Sequence, residues 1–175
     1  MAVYQLENEH IYLEVASHGA ELVRLVGKKT KKEYLFDGDP KYWKRHSPIL
    51  FPFVGGVKNR EYRYNGKTYT MTQHGFARDM EFTLVKHNDG MLVMRLESDE
   101  NTKEKYPFDF ALELEYHLID NEIKEVYRVI NKDNVMQQMD YAAGVTLYNG
   151  SKMELGGDLD IHLEAAGVDG IRANN

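Results

Sequence analysis

The sequence predicts an all-β protein built as an antiparallel β-sandwich, and three observations predict it. Short runs of alternating apolar and polar residues follow one another, with turn residues between them. Twelve tyrosines and seven phenylalanines supply side chains suited to pleated, half-buried surfaces. Helical periodicity is scarce, so alternation with period two is the dominant pattern.

The strands are expected in order as follows. Residues 10–15 alternate as IYLEV, and residues 20–26 (AELVRLV) follow the His18-Gly19 turn. Residues 32–36 (KEYLF) form a third run, closed by the Asp37-Gly38-Asp39-Pro40 turn. The lysines at 28, 29, 31 and 32 precede it and read as a solvated hairpin turn. Residues 61–64 and 67–71 flank Asn65-Gly66, a dipeptide suited to a tight hairpin. Three longer runs come next, at 81–86, 91–97 and 108–118, and a hairpin at Asp120-Asn121 leads into 122–130. In the longest run Phe108, Phe110, Leu112, Leu114 and Tyr116 share one face, with Asp109, Glu113, Glu115 and His117 on the other. Many strands at short spacing indicate a sandwich or large twisted sheet.

At 175 residues the chain is most simply one domain with one core. Its 42% hydrophobic and 29% charged residues exclude wholesale disorder. A net charge of −6 opposes binding to a phosphate backbone, so no nucleic-acid partner is expected. The absence of cysteine removes disulfides, thiolate metal sites and cysteine nucleophiles. The N-terminus has charges where a signal peptide needs an apolar run. No apolar stretch approaches the roughly 20 residues of a membrane helix. A soluble cytoplasmic protein without metal or cofactor is the expectation.

Residues 47–79 carry most of the functional signal. A Pro-bracketed apolar run, SPILFPFVGG, precedes the polar hairpin and then the cluster QHGFARD. His74, beside Gly75 and four residues from Arg78, places imidazole and guanidinium together against apolar neighbours. Such groups can donate to several sugar oxygens, and a pocket for a neutral polyhydroxylated ligand needs a few fixed polar groups by an aromatic wall. A turn histidine beside an Arg–Asp pair stapling a loop is the alternative. Arg45 lies just before the apolar run, either at the mouth of a cleft or as an ordinary surface arginine. Pro48 and Pro52 make that run an edge strand or an irregular cleft lining. Trp43 reads first as a core residue and otherwise, with Tyr42, as a stacking face for a sugar ring. Arg60 reads equally as a cleft residue and as hairpin surface. Turn chemistry accounts for Asp37/Asp39, and strand alternation for Glu113/Glu115, rather than a catalytic carboxylate pair. No metal, phosphate-loop or nucleophile-elbow motif is present.

Trp43 and Arg45 upstream of SPILFPFVG, then NGKTY, then QHGFARD, resemble the aldose 1-epimerase (galactose mutarotase-like) family, and its LacX-like branch most nearly. The resemblance spans roughly residues 3–133, the N-terminal half of such proteins. It implies a truncated supersandwich, an antiparallel β-sandwich with a sugar cleft across one sheet. It also implies an isomerase of carbohydrate metabolism that interconverts aldose anomers, relatives acting on hexose 6-phosphates. In the family a carboxylate deprotonates the anomeric hydroxyl while a histidine protonates the ring oxygen. By resemblance Arg45, His74 and Arg78 bind substrate and are not the acid/base pair.

Several positions depart from the pattern. Val54-Gly55-Gly56 lacks an expected arginine, for which Arg60 is the nearest substitute. Thr146 stands where the family's catalytic histidine is expected, and threonine does not titrate near neutral pH. The catalytic glutamate has no matching motif, so no catalytic residue is assigned and little mutarotase activity is expected from this chain alone. Residues 1–133 are assigned to the sandwich portion and 134–175 to a diverged tail, in which 159–163 alternate as one more strand. A tail joined by frameshift or fusion is a further alternative, prompted by the change in composition after Asn131. The rival to a sugar or sugar-phosphate binder is a non-catalytic interaction module. Half a sandwich would leave an apolar face exposed, to be covered by a second copy or a complementing chain.

Overall fold

A computed structural model describes residues 1–133 and, beyond them, the backbone of Ala142–Ala143. The first sheet has the order β1-β2-β3-β4, made of Val3–Glu7, Ile11–Ala16, Leu22–Gly27 and Lys32–Glu33. Strand β5 (Ile49–Leu50) is short, and β6 (Glu61–Tyr64) and β7 (Lys67–Thr70) form the hairpin across Asn65-Gly66. The second large sheet has the order β11-β10-β9-β8, from Glu122–Asn131, Phe110–Ile119, Met91–Glu97 and Thr83–Asn88. A last short strand, β12 (Ala142–Ala143), pairs with β5, and every pairing between named strands is antiparallel.

Period two decides what each long strand buries. On β9 and β10 the register sets Leu96 opposite Leu112, Met94 opposite Leu114 and Leu92 opposite Tyr116, all of them buried. Leu13 and Val15 of β2 join the same core cluster, so the two large sheets share one interior. The Tyr116 hydroxyl bridges the layers, donating to the Ala20 carbonyl at 2.8 Å. The opposite face of the second sheet is laced with charge. Glu113 stands between Arg95 and Arg128 across the ladder, accepting from Arg95 Nε at 2.7 Å, while Arg128 Nη2 lies 3.0 Å from Glu115.

Several expectations change. Strand β1 was hidden in the charged N-terminus, because only Leu6 of its five residues is fully buried. In the run at 32–36 the strand itself covers only Lys32–Glu33. Helix α1 (Glu100–Lys105) is too short to show periodicity and is defined by a capping box between Asp99 and Thr102. Trp43 is not a core residue. Its loop lies on the surface, and the side chain stays 39% exposed. The large apolar side chains exposed among the described residues (Met1, Val3, Tyr42, Trp43, Val85 and Ile119) are scattered through the sequence, and the outward face of β9–β11 carries ion pairs. The exposed apolar face expected of half a sandwich is therefore not found among them. The proposed strand at 159–163, Thr146 and the tail assignment lie outside the described residues.

Candidate functional site

Two distant segments are laced together to make the candidate site. The Phe51 carbonyl accepts from the Phe76 and Ala77 amides at 3.0 and 3.2 Å, and Phe51 bridges Gly75 in parallel. Gly75 has φ +70°, and a Cβ there would stand 2.1 Å from the Phe51 oxygen. Only glycine permits that approach. The Phe51–Pro52 peptide is cis, and of the run from Ser47 to Gly56 only Ile49–Leu50 forms a strand. Beneath it Phe51, Phe76, Tyr106 and Phe110 form an aromatic floor, with Phe51 and Phe110 5.1 Å apart.

His74 is fixed at both ends. Its amide donates to the Gly55 carbonyl at 3.0 Å, and its Nδ1 is hydrogen-bonded to the Val54 carbonyl. A carbonyl only accepts, so Nδ1 carries the proton and Nε2 is the ring nitrogen left for a ligand. Among the described residues Nε2 has no partner, and the residue is half-buried. Arg78 reaches back along the same turn, its Nη2 donating to the Gln73 carbonyl at 3.3 Å. The Arg78 guanidinium thus reaches the carbonyl of the residue before His74, while the imidazole is held on Val54.

Arg45 arrives differently. Its Nη1 donates to the Arg78 carbonyl at 3.0 Å and its Nη2 pairs with Asp79, while Glu21 lies 3.5 Å from Nη1. The structure thus joins Arg45 to the 78–79 turn, but largely through bonds to the protein itself. The approach is close from the other side too, since a Cβ on Gly19 would stand 2.7 Å from the Arg78 oxygen.

One feature escaped sequence reasoning. Asn59 and Arg60 both have positive φ, 58° and 61°, and His74 has φ 71°. The Arg60 carbonyl accepts from the Met71 amide at 2.9 Å, tying that turn to the strand that leads into His74. Three non-glycine residues in left-handed conformations on adjoining segments are unusual, and such strain collects at functional sites. No spacing rule announces it. Arg60 had equal cleft and surface readings, and Asn59 none.

The acidic pairs behave as their alternation and turn chemistry implied. Asp37 and Asp39 accept from the amides of Asp39 and Lys41, and Glu113 and Glu115 are held in arginine pairs. A groove of about 470 Å³ lies elsewhere, lined by Gln5, Leu6, Glu7, His87, Asn88 and Asp89, and contains none of the three predicted residues. Among the described residues no group of three or more His, Asp or Glu side chains is gathered for a metal ion, and no helix is long and apolar enough to cross a membrane.

The fold is that of the galactose mutarotase-like all-β proteins. A galactose mutarotase-like protein from Lactobacillus casei ATCC 334 superposes with TM-score 0.74 at 37% identity, over 77% of this chain and 46% of that one. A galactose mutarotase related enzyme from Lactobacillus acidophilus gives 0.75 at 38%, over 76% and 44%. The model describing aldose 1-epimerases matches residues 2–148, and the chain belongs to that family. Protein LacX (plasmid) of Lactococcus lactis subsp. lactis is 30% identical over 132 residues, which are 73% of this chain and 44% of that protein. The chain thus spans about half the length of the relatives it matches.

Proposed function

We propose that this chain binds an aldose or an aldose phosphate on the surface formed by His74, Arg78 and the Asn59-Arg60 turn. The observation that carries this reading is the fixed imidazole. Its backbone is held in a left-handed conformation and its Nδ1 on a carbonyl, which leaves Nε2 as the available nitrogen. Arg78, whose Nη2 reaches the Gln73 carbonyl, adds donors in a planar fork suited to vicinal hydroxyls or a phosphate. Arg45 serves the same surface by holding the 78–79 turn. The family and the relatives' printed names support a carbohydrate ligand.

Catalysis by this chain alone is expected to be weak. Thr146 at the position of the family's acid histidine supplies no titratable proton near neutral pH. Anomer interconversion followed by polarimetry should run at the spontaneous rate, and a clear excess over it would reject this part of the proposal. Binding is tested by titrating galactose, glucose and glucose 6-phosphate while following the emission of Trp43, the single tryptophan, two residues from Arg45. His74→Ala and Arg78→Ala should each weaken binding about tenfold, the effect of one hydrogen bond from a charged or oriented donor. Unchanged affinity in both variants would exclude this surface.

A further inference from the structure

We infer that Glu21 is the positioning residue of this site, setting the place of Arg45 and through it of the Arg78–Asp79 turn. The inference rests on the carbohydrate-binding reading above and adds to it a residue that touches no ligand.

Glu21 is 6% exposed, a rare burial for a carboxylate. Its contacts converge on one short stretch of chain. Oε1 accepts from the His46 amide and, at 3.1 Å, from the Ser47 amide; Oε2 lies 3.5 Å from Arg45 Nη1. The carboxylate therefore grips both the side chain of Arg45 and the backbone that follows it. Ser47 Oγ adds a bond to the Leu22 carbonyl at 2.8 Å, so adjacent residues of one strand start hold the same loop end.

The support behind Glu21 is rigid. Its carbonyl accepts from the Ala16 amide at 2.8 Å, and the preceding Ala20 carbonyl accepts the Tyr116 hydroxyl from the other sheet. Ala20 itself is held at φ 45°, a conformation costly for a residue with a side chain and maintained here by its surroundings. From this base a line of alternating charge runs Glu21, Arg45, Asp79, Arg78. Arg45 is pulled from both ends and its Nη1 lies on the Arg78 carbonyl. The sandwich core thus fixes the turn that carries the candidate ligand contacts.

Glu21→Gln and Glu21→Ala separate the two grips. In the glutamine variant the amide oxygen can keep the His46 and Ser47 amides, but its NH₂ then faces the Arg45 guanidinium, donor against donor. Hydrogen exchange at residues 46 and 47 should stay slow in Glu21→Gln and rise at least about tenfold in Glu21→Ala. Affinity for the sugar identified by the Trp43 titration should fall about tenfold in both. A purely structural role would not lower affinity in the glutamine variant while its amides remain protected. Undisturbed exchange in Glu21→Ala, or wild-type affinity in Glu21→Gln, overturns the inference. Wild-type protein that binds no sugar overturns the reading beneath it, and the exchange data then still report whether Glu21 holds the loop.

Discussion

Gly75 is where a single atom decides whether the site forms. A methyl group there would enter the Phe51 carbonyl, and the backbone sits at positive φ. Gly75→Ala is expected to cost about 3 kcal/mol or more, from steric strain together with loss of the lacing bonds. Thermal or denaturant unfolding measures it, and a loss under about 1 kcal/mol would mean the segments can part without harm. Glu125 makes a different demand. It points to the core face opposite Tyr116, where the Tyr127 hydroxyl donates to it at 2.8 Å. Burial pushes its carboxyl above the ordinary range, outweighing the hydroxyl bonds that act the other way. Because the folded value is raised, its contribution to stability is complete below the ordinary carboxylate range and is lost as pH rises through the raised value. Glu81, Glu97, Asp99 and Asp109 are lowered and give the opposite slope in acid. Stability measured from acid to neutral pH in wild type and Glu125→Gln isolates the first effect. The difference between them should grow toward neutral pH in favour of glutamine, and a pH-independent difference would refute the assignment.

At the scale of elements, helix α1 and strand β10 show how local chemistry and register divide the work. Asp99 accepts from the Thr102 amide at 2.7 Å while Thr102 Oγ1 accepts from the Asp99 amide at 2.8 Å. Asp99→Ala should therefore cost about 1 kcal/mol, read as a lower unfolding midpoint. Had the helix been held by packing alone, the substitution would be silent. On β10, Glu113 is 5% exposed between two arginines that are about one third exposed. Glu113→Gln leaves both cations without their shared partner, and a loss of about 2 kcal/mol is expected after allowing for solvent screening. Glu97, an exposed member of the same ladder, should lose no more than about 0.5 kcal/mol as Glu97→Gln. Equal losses would show that burial does not set the value of these pairs. The strands themselves were legible because Leu112, Leu114 and Tyr116 recur every second residue. Strand β1 and helix α1 were not, since one has a single fully buried residue and the other spans six residues.

For the whole molecule, one core cluster draws on both large sheets, and the Tyr116 hydroxyl joins them. The described portion is expected to unfold in one cooperative step, with calorimetric and van't Hoff enthalpies equal. Two separated transitions would mean that the sheets hold independent cores. The family resemblance, the all-β class and the hairpins at Asn65-Gly66 and Asp120-Asn121 were all carried by local order in the sequence, as was the four-residue spacing of His74 and Arg78. Alternation, turn residues and four-residue spacing act within a few positions of chain, so they can be read without coordinates. Only the tertiary structure decided that Arg45 is bound up with Asp79 and Glu21, that Trp43 lies outside the core, and that Asn59, Arg60 and His74 share a left-handed backbone. Those facts depend on pairs of segments far apart in sequence being pressed together. Close approach and charge pairing across such distances leave no periodic trace in the chain.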